Sequence, residues 1–342
     1  MSGAFPASHN LSKAVTAAGG PAPVIQARTW LTSSAVDQPS KSPDIGLSVS
    51  SLTVDQYPMN IAIIGSNGKN AKAWTDAFLN AGFSVRNLVR KPESLPARRG
   101  VSYAYLDLDL PSSYEPALKD AEILGLITPG GQNQVEQETG LIEAAARAGI
   151  KRILKVSVLG AEIPRPISGF ARSAAAVEQV LRQSDIPHAI LRPNFFMQQM
   201  LNQRASIEGG VYAEPTGSVA ISYIDVRDIA DVAVAAASGK LDGEAVALTG
   251  PDPLTGEQLV AALSEVTGKP VRFVSPDLES FRAALSSYGM PEWDADALVD
   301  LFRAVQDGKA GHVTEVSGEV ERITGKKSRS FSDFARQEFA LG

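Results

Sequence analysis

The sequence predicts an α/β fold, a doubly wound parallel sheet with a smaller C-terminal cap lobe. Three observations carry this expectation. Short apolar runs alternate with helical periodicities at a spacing of roughly 25–35 residues, the rhythm of parallel strands joined by crossover helices. The first run stops at a glycine and passes through a short polar turn straight into a helix. The chain has 342 residues, 44% of them apolar and none of them cysteine, so an apolar core and not a disulfide framework must hold it together.

The elements follow in order. Residues 59–65 (MNIAIIG) read as the first strand. Ala71, Trp74, Phe78 and Leu79 then fall at helical spacing, and Gly82 ends that helix. Residues 84–90, 101–107 and 122–128 read as the second to fourth strands, with a short helix over 114–119. Residues 134–148 form an amphipathic helix with Val135, Leu141, Ile142 and Ala145 on one face. A fifth strand over 152–157, a helix over 171–183 and a sixth strand over 189–193 complete the regular part. Right-handed crossovers open such a sheet, and its ligands sit at the carboxyl ends of the strands. That rule points to residues 65–70, Arg90, Thr128 and Pro129, Ser157 and residues 193–196. Beyond Phe196 the rhythm loosens. Residues 217–223, 245–248 and 271–275 read as strands, and 226–237, 256–267, 278–287 and 295–307 as helices. With no glycine-rich linker between the parts, 197–342 reads as a cap lobe interleaved with the sheet.

Residues 1–58 differ from the rest. They are rich in Ser, Ala, Gly and Pro, and Lys13, Arg28 and Lys41 balance Asp37, Asp44 and Asp55. They read as a disordered extension outside the fold, with Met59 at the threshold of the first strand. Two basic and no acidic side chains in the first 36 residues leave organelle targeting as an alternative to a cytoplasmic protein.

Composition excludes several functions. Without cysteine there is no thiolate metal site, and His9, His188 and His312 lie too far apart in sequence for an HExxH pair, so no metal is expected. A net charge of −6 argues against a nucleic-acid partner, and no apolar run is long enough to span a membrane.

The turn Gly65-Ser66-Asn67-Gly68-Lys69-Asn70 sits between strand and helix. Glycines there permit a tight turn and let backbone amides approach a pyrophosphate, and the helix N-terminus favours the anion. The fold is thus Rossmann-like. A second strand ending in Asp or Glu would bind a ribose 2′-hydroxyl; here it ends in Arg90-Lys91, and a guanidinium suits a 2′-phosphate. NADP(H) is therefore expected in preference to NAD(H), the six turn residues with Arg90 and Lys91 forming its site.

With other segments, these residues resemble the NmrA-like branch of the atypical short-chain dehydrogenases. Gly65-x-x-Gly68-x-x-Ala71 is similar to that group's G-x-x-G-x-x-G loop, and Leu88-Val89-Arg90-Lys91-Pro92 to its second-strand signature. Ile190-Leu191-Arg192-Pro193-x-Phe195-Phe196-Met197 resembles its LRP-x-x-FM element, and Ile224-Asp225-Val226-x-Asp228-Ile229-Ala230 its D-V-x-D-I-A segment. Leu248-Thr249-Gly250-Pro251 and Phe331-Ser332-Asp333-Phe334 further resemble festuclavine dehydrogenase-like, azoreductase-like and quinone reductase-like members. The resemblance spans 59–342. It implies that Thr128 and Pro129 border the cofactor and that Pro193, Asn194 and Phe195 lie near the nicotinamide.

One departure bears on chemistry. Ser157 matches the serine that typical members carry at the end of the fifth strand, but the following Tyr and Lys positions hold Phe170 and Ala174. Phenylalanine donates no proton, and alanine tunes no neighbour. A ketone–alcohol couple is disfavoured without that pair. A quinone, azo group, iminium ion or activated double bond needs only contact with the cofactor. The leading expectation is an NADPH-dependent reductase of such a small molecule. The alternatives are an NADP-binding redox sensor acting through protein partners and, more remotely, an isomerase holding the cofactor as structure. Ser157 either bonds a substrate oxygen or bonds within the strand end. Asn194 is the second catalytic candidate, as a donor to substrate or nicotinamide. Lys155 either reaches the pocket or snorkels to solvent. Phe195, Phe196 and Met197 are substrate wall or core. His188 is packed or on the surface, without a metal role. Asp225 and Asp228 read as a loop anchor and a helix cap, not as an acid pair.

Overall fold

The computed structural model describes residues 59–65 and 68–340. The extension over 1–58, with the expectations placed on it, lies outside the described residues, as do Ser66 and Asn67.

Alternating strand residues build two cores. In β1 (Asn60–Ile64), Ile61 and Ile63 face one side and Ala62 and Ile64 the other, all buried. The first pair packs with Trp74 and Phe78 of α1 (Lys69–Asn80) and with Ile229, Val232, Ala233 and Ala236 of α6 (Val226–Ala236). The second pair packs with Leu141, Ile142 and Ala145 of α3 (Gln134–Arg147) and Val177 and Leu181 of α4 (Gly169–Gln183), while α2 (Tyr114–Leu118) supplies Tyr114 and Leu118. Helices thus cover both faces, as a fully buried parallel sheet requires.

The remaining strands are β2 (Ser84–Val89), β3 (Val101–Tyr105), β4 (Ile123–Leu126), β5 (Arg152–Val156), β6 (His188–Pro193) and, after the short β7 (Val211–Ala213), β8 (Ala245–Leu248). The seven-stranded sheet has the order β3-β2-β1-β4-β5-β6-β8, with every pair parallel. Strand order reverses at β1, which lies between β2 and β4. The C-terminal part of the chain contributes β8 and α6 to this sheet.

The rest of that part forms a second layer. It comprises α5 (Arg204–Glu208), α7 (Gly256–Thr267), α8 (Leu278–Ser287), α9 (Glu292–Gln306), α11 (Phe331–Phe339) and a two-stranded parallel sheet of β7 and β9 (Arg272–Val274), whereas α10 (Glu319–Thr324) packs Val320 into the sheet core beside α6. Met197, Tyr212, Tyr223, Leu259, Phe331 and Phe334 share its main core. Phe281, Leu285, Leu298 and Phe302 zip α8 to α9.

Residues 217–223, expected as a strand, are not one. Ile221 makes a single bridge to Leu254, while the Ser222 amide donates to the Val313 carbonyl at 2.9 Å. Its backbone groups are paired one at a time with separate segments, so the apolar run is buried without a ladder. Asp225 and Asp228 exchange the roles expected of them. The Asp225 carboxylate caps α6 through the Arg227 amide, and Asp228 accepts from the Arg329 amide at 2.8 Å and so anchors that loop. His188 is packed, with Nδ1 2.9 Å from the Ile186 carbonyl.

Gly250 explains itself sterically. A Cβ there would lie 1.9 Å from the Tyr223 carbonyl oxygen, a backbone atom that cannot swing aside. Gly250→Ala is expected to destabilise the fold by about 3 kcal/mol through overpacking, read as a lowered midpoint in chemical denaturation.

Candidate functional site

The reversal of strand order leaves a crevice at the carboxyl ends of β1, β2 and β4. A cleft of about 1520 Å³ occupies it. Its wall is built from local sequence. Gly65 closes β1 at φ +83°, in the left-handed region that suits glycine, with its amide 2.8 Å from the Leu88 carbonyl. Gly68 then serves as N-cap of α1 and has no side chain to offer the first turn.

Helix caps show what is special about this place. Among the described helices of nine residues or more, α4, α6, α7, α8 and α11 are capped by Ser168, Asp225, Thr255, Asp277 and Ser330. α1, α3 and α9 have no capping side chain, and their N-termini border the cleft at Gly68, Asn133 and Pro291. Three sets of first-turn amides are thus left to water or a ligand. The α1 end carries no acid and begins with Lys69. Arg90 and Lys91, exposed at the end of β2, join it on the cleft wall and are held in no ion pair among the described residues.

Lys69 ties the loop to the segment after β6. Its Nζ donates to the Gln198 carbonyl at 2.6 Å and to Asn202 Oδ1 at 2.5 Å. Burial pushes its ammonium down to about 8, with Glu338 pulling the other way. Beside it, Asn70 Oδ1 is buried and accepts no hydrogen bond among the described residues.

The cleft brings together Gly65, Gly68, Lys69, Asn70, Arg90, Lys91, Thr128 and Pro129 of the expected residues, and Phe196 with them. It does not gather the others. The Ser157 hydroxyl is buried and donates to Glu178 Oε1 at 2.6 Å. Burial alone would raise that carboxyl, but Arg192, Ser157 and Arg182 together hold it below the usual carboxylate range. Asn194 is buried and donates to Ser222 Oγ and the Val313 carbonyl, both at 2.8 Å. Pro193 lies in the sheet opposite Leu248. Phe195 sits edge-on between Tyr223 and Phe302, and Met197 is core. On α4, Ala174 is buried, and Phe170 packs edge-on to Trp293 at 5.4 Å.

Lys155 neither reaches the cleft nor snorkels. It is 1% exposed and paired at 2.8 Å with Glu138, which is wholly buried. Glu138 also accepts from Gln134 at 2.9 Å and from the Thr128 hydroxyl, so a desolvated ion pair fixes Thr128 in the cleft floor. Lys155 also donates to the Val156 carbonyl at 2.6 Å, and Glu138 Oε2, 2.8 Å from the ammonium, is buried without a hydrogen bond.

The NmrA-like family model matches residues 58–335. The chain belongs to the NmrA-like family. It is 34% identical over 286 residues to the NAD(P)H azoreductase of Xenophilus azovorans, covering 82% of this chain and 98% of that one. The NADPH-dependent quinone oxidoreductase of Escherichia coli, solved with NADPH bound, superposes with a TM-score of 0.70 at 26% identity, over 82% of this chain and 99% of that one. NmrA itself, a negative transcriptional regulator, shares the fold at 18% identity and a TM-score of 0.66, over 83% of this chain and 96% of that one.

Sequence reasoning passed over several residues of this NmrA-like chain. Glu138 and Glu178 face inward from α3 and α4, where helical spacing alone marks them as interruptions of an apolar stripe. Trp293 and Asp294 come from α9, far along the chain, and no local pattern ties them to the cleft. Glu214 is 2% exposed in the second layer and accepts from the Tyr223 hydroxyl. Burial raises its carboxyl to about 7, against the bonds from Tyr223 and Tyr212. A carboxyl raised on folding contributes stability while protonated and loses it as pH rises through the folded value. Stability is therefore expected to fall by about 3 kcal/mol between pH 5 and pH 8 through this group. Glu214→Gln should abolish that component in denaturation curves recorded at the two pH values.

Proposed function

We propose that this chain is an NADPH-dependent reductase of small electrophilic acceptors. The observation that carries the reading is the α1 end of the cleft. There an uncapped helix N-terminus, a glycine turn and the cations Lys69, Arg90 and Lys91 border one volume. A dinucleotide fits that donor set: amides and dipole for the diphosphate, a guanidinium for a 2′-phosphate, and the unpartnered Asn70 Oδ1 for a ligand hydroxyl. The azoreductase and the quinone oxidoreductase among its relatives support a nicotinamide cofactor and a reductive reaction.

When bound, the cofactor supplies a hydride. The chain's own residues do the rest. Gly65, Gly68 and Lys69 hold the diphosphate end, and Ser66 and Asn67 stand between the two glycines in sequence. Arg90 and Lys91 hold the 2′-phosphate. Thr128, pinned by Glu138, and Pro129 border the middle, and Phe196 excludes water from one wall. Ser157 and Asn194 are both engaged inside the protein. Acid catalysis by either is therefore not part of the proposal. Acceptors that need no protein acid are the suitable ones: quinones, azo groups, iminium ions and activated double bonds. The same engagement of Ser157 and Asn194 also suits the second reading, a redox sensor that binds NADP and a protein partner without turnover.

Titration with NADPH and NADH followed by an acceptor screen separates the two. A reductase consumes NADPH with at least one acceptor, and binding without consumption throughout would leave the sensor. Arg90→Glu is expected to raise the dissociation constant for NADPH at least tenfold, about 1.4 kcal/mol or more, and to invert the preference over NADH. Because Lys69 must be cationic to meet a phosphate and titrates at about 8, NADPH affinity should fall as pH is raised from 7 to 9. Lys69→Gln should weaken binding and flatten that profile in calorimetric titrations.

A further inference from the structure

The two edges of the large sheet are finished differently. β8 lies against α10, whose Val320 packs into the sheet core. β3 pairs with β2 alone, and none of its five residues is buried. Its main chain alternates between the two sides. The Leu106 amide donates to the Val89 carbonyl, and the Gly100 carbonyl accepts from the Val85 amide, both at 3.0 Å. Even-numbered residues therefore turn their main chain to β2, and Val101, Tyr103 and Tyr105 turn theirs outward. The amides and carbonyls of Tyr103 and Tyr105 have no main-chain partner among the described residues. An edge of this kind is ordinarily guarded by a charge or a proline within the strand. β3 reads Val-Ser-Tyr-Ala-Tyr and has neither. Apolar surface adjoins it. Tyr105 and Leu110, both 45% exposed, flank a cavity of about 340 Å³ that Ala104, Pro116 and Ala117 also line.

Charge says what fits there. Arg99, two residues before the strand, is exposed and in no ion pair among the described residues. Asp107, two residues after it, is in none either, and its Oδ1 accepts from the Asp109 amide at 3.1 Å. A strand with a cation before it and a carboxylate after it is complementary to its own copy run antiparallel. The register that uses all five residues centres on Tyr103. It makes Tyr103 a hydrogen-bonded pair with the partner's Tyr103, and it sets Val101 against the partner's Tyr105 twice over. The same register brings Arg99 to the partner's Asp107 at both ends. A parallel arrangement would set arginine against arginine and aspartate against aspartate.

We propose that β3 is a homodimer interface. The β3 strand of a second copy of this chain pairs with it antiparallel about a two-fold axis at Tyr103, so that the seven-stranded sheet continues into its partner. Tyr105 and Asp107 also line the cleft, so the partner's Arg99 stands at its rim. The proposal is independent of the reductase reading, because its measurements are mass and amide exchange.

The full chain is examined by sedimentation velocity over a micromolar concentration series. A reversible dimer of twice the chain mass is expected. Arg99→Asp sets two carboxylates together at each end and should weaken the dimer at least tenfold, and Asp107→Arg should do the same with two guanidiniums. Mixing the two variants restores both ion pairs in the heterodimer, so the mixture should regain dimer that neither variant forms alone. A folding defect would not be repaired by mixing. Should Asp107→Arg lower the unfolding midpoint, Tyr103→Lys takes its place. It opposes two ammonium groups across the axis and should also weaken the dimer at least tenfold. Hydrogen exchange of a peptide covering residues 101–106 should slow as the dimer forms. A chain that stays monomeric throughout the series overturns the proposal, and so does a dimer indifferent to these substitutions. A monomer whose β3 amides are already protected would give the edge to residues 1–58 of its own chain and overturn it as well.

Discussion

Everything in this molecule depends on the geometry of parallel strands that reverse their order at β1. Parallel pairing forces each connection to cross a face of the sheet, so the carboxyl ends of β1 to β6 and of β8 all emerge on one side. Where the order turns back, loops from β1 and β4 part and cannot close over one another. The cleft is the space that remains. Its position follows from topology, and only its lining follows from the residues in the loops.

The lining divides by electrostatics. At the α1 end, helix amides, Lys69, Arg90 and Lys91 sum to a positive field. At the α9 end, Glu292, Asp294 and Asp296 oppose the positive end of the helix, with Arg282 offsetting part of their charge. Between them lies a floor held by a buried ion pair, in which Lys155 and Glu138 neutralise each other and keep Thr128 in place. Glu138 Oε1 offsets part of the desolvation of that pair by accepting from Lys155, Gln134 and Thr128, while Oε2 is buried without a hydrogen bond. Ser157 and Asn194 belong to comparable interior networks, which is why polar residues near strand ends do not by themselves mark chemistry.

Much of this was legible in the sequence because it is local. Strand and helix alternation, the glycine after β1 and the basic end of β2 all lie within short windows whose periodicity or turn chemistry is readable. The first six strands and the helices between them sit where the pattern placed them. What escaped was non-local. β7 has three residues and draws its pairing from β9, sixty residues on. The segment 217–223 is apolar enough for a strand, but its partners are scattered single bonds. Lys155 finds Glu138 across two elements, and Asp294 finds the β4 loop from the far end of the chain. Pattern in one window cannot encode a partner in another.

The position of α9 has a consequence for how the protein is made. Strands β1 to β6 are complete by Pro193, whereas Trp293 follows a hundred residues later. During synthesis the ribosome releases chain from the amino terminus, and nearby contacts form before distant ones. The basic wall can therefore assemble while the aromatic wall is still unmade. The two halves of the chamber are separated in time as well as in charge, and a nascent chain stalled between them would present a groove with only one side.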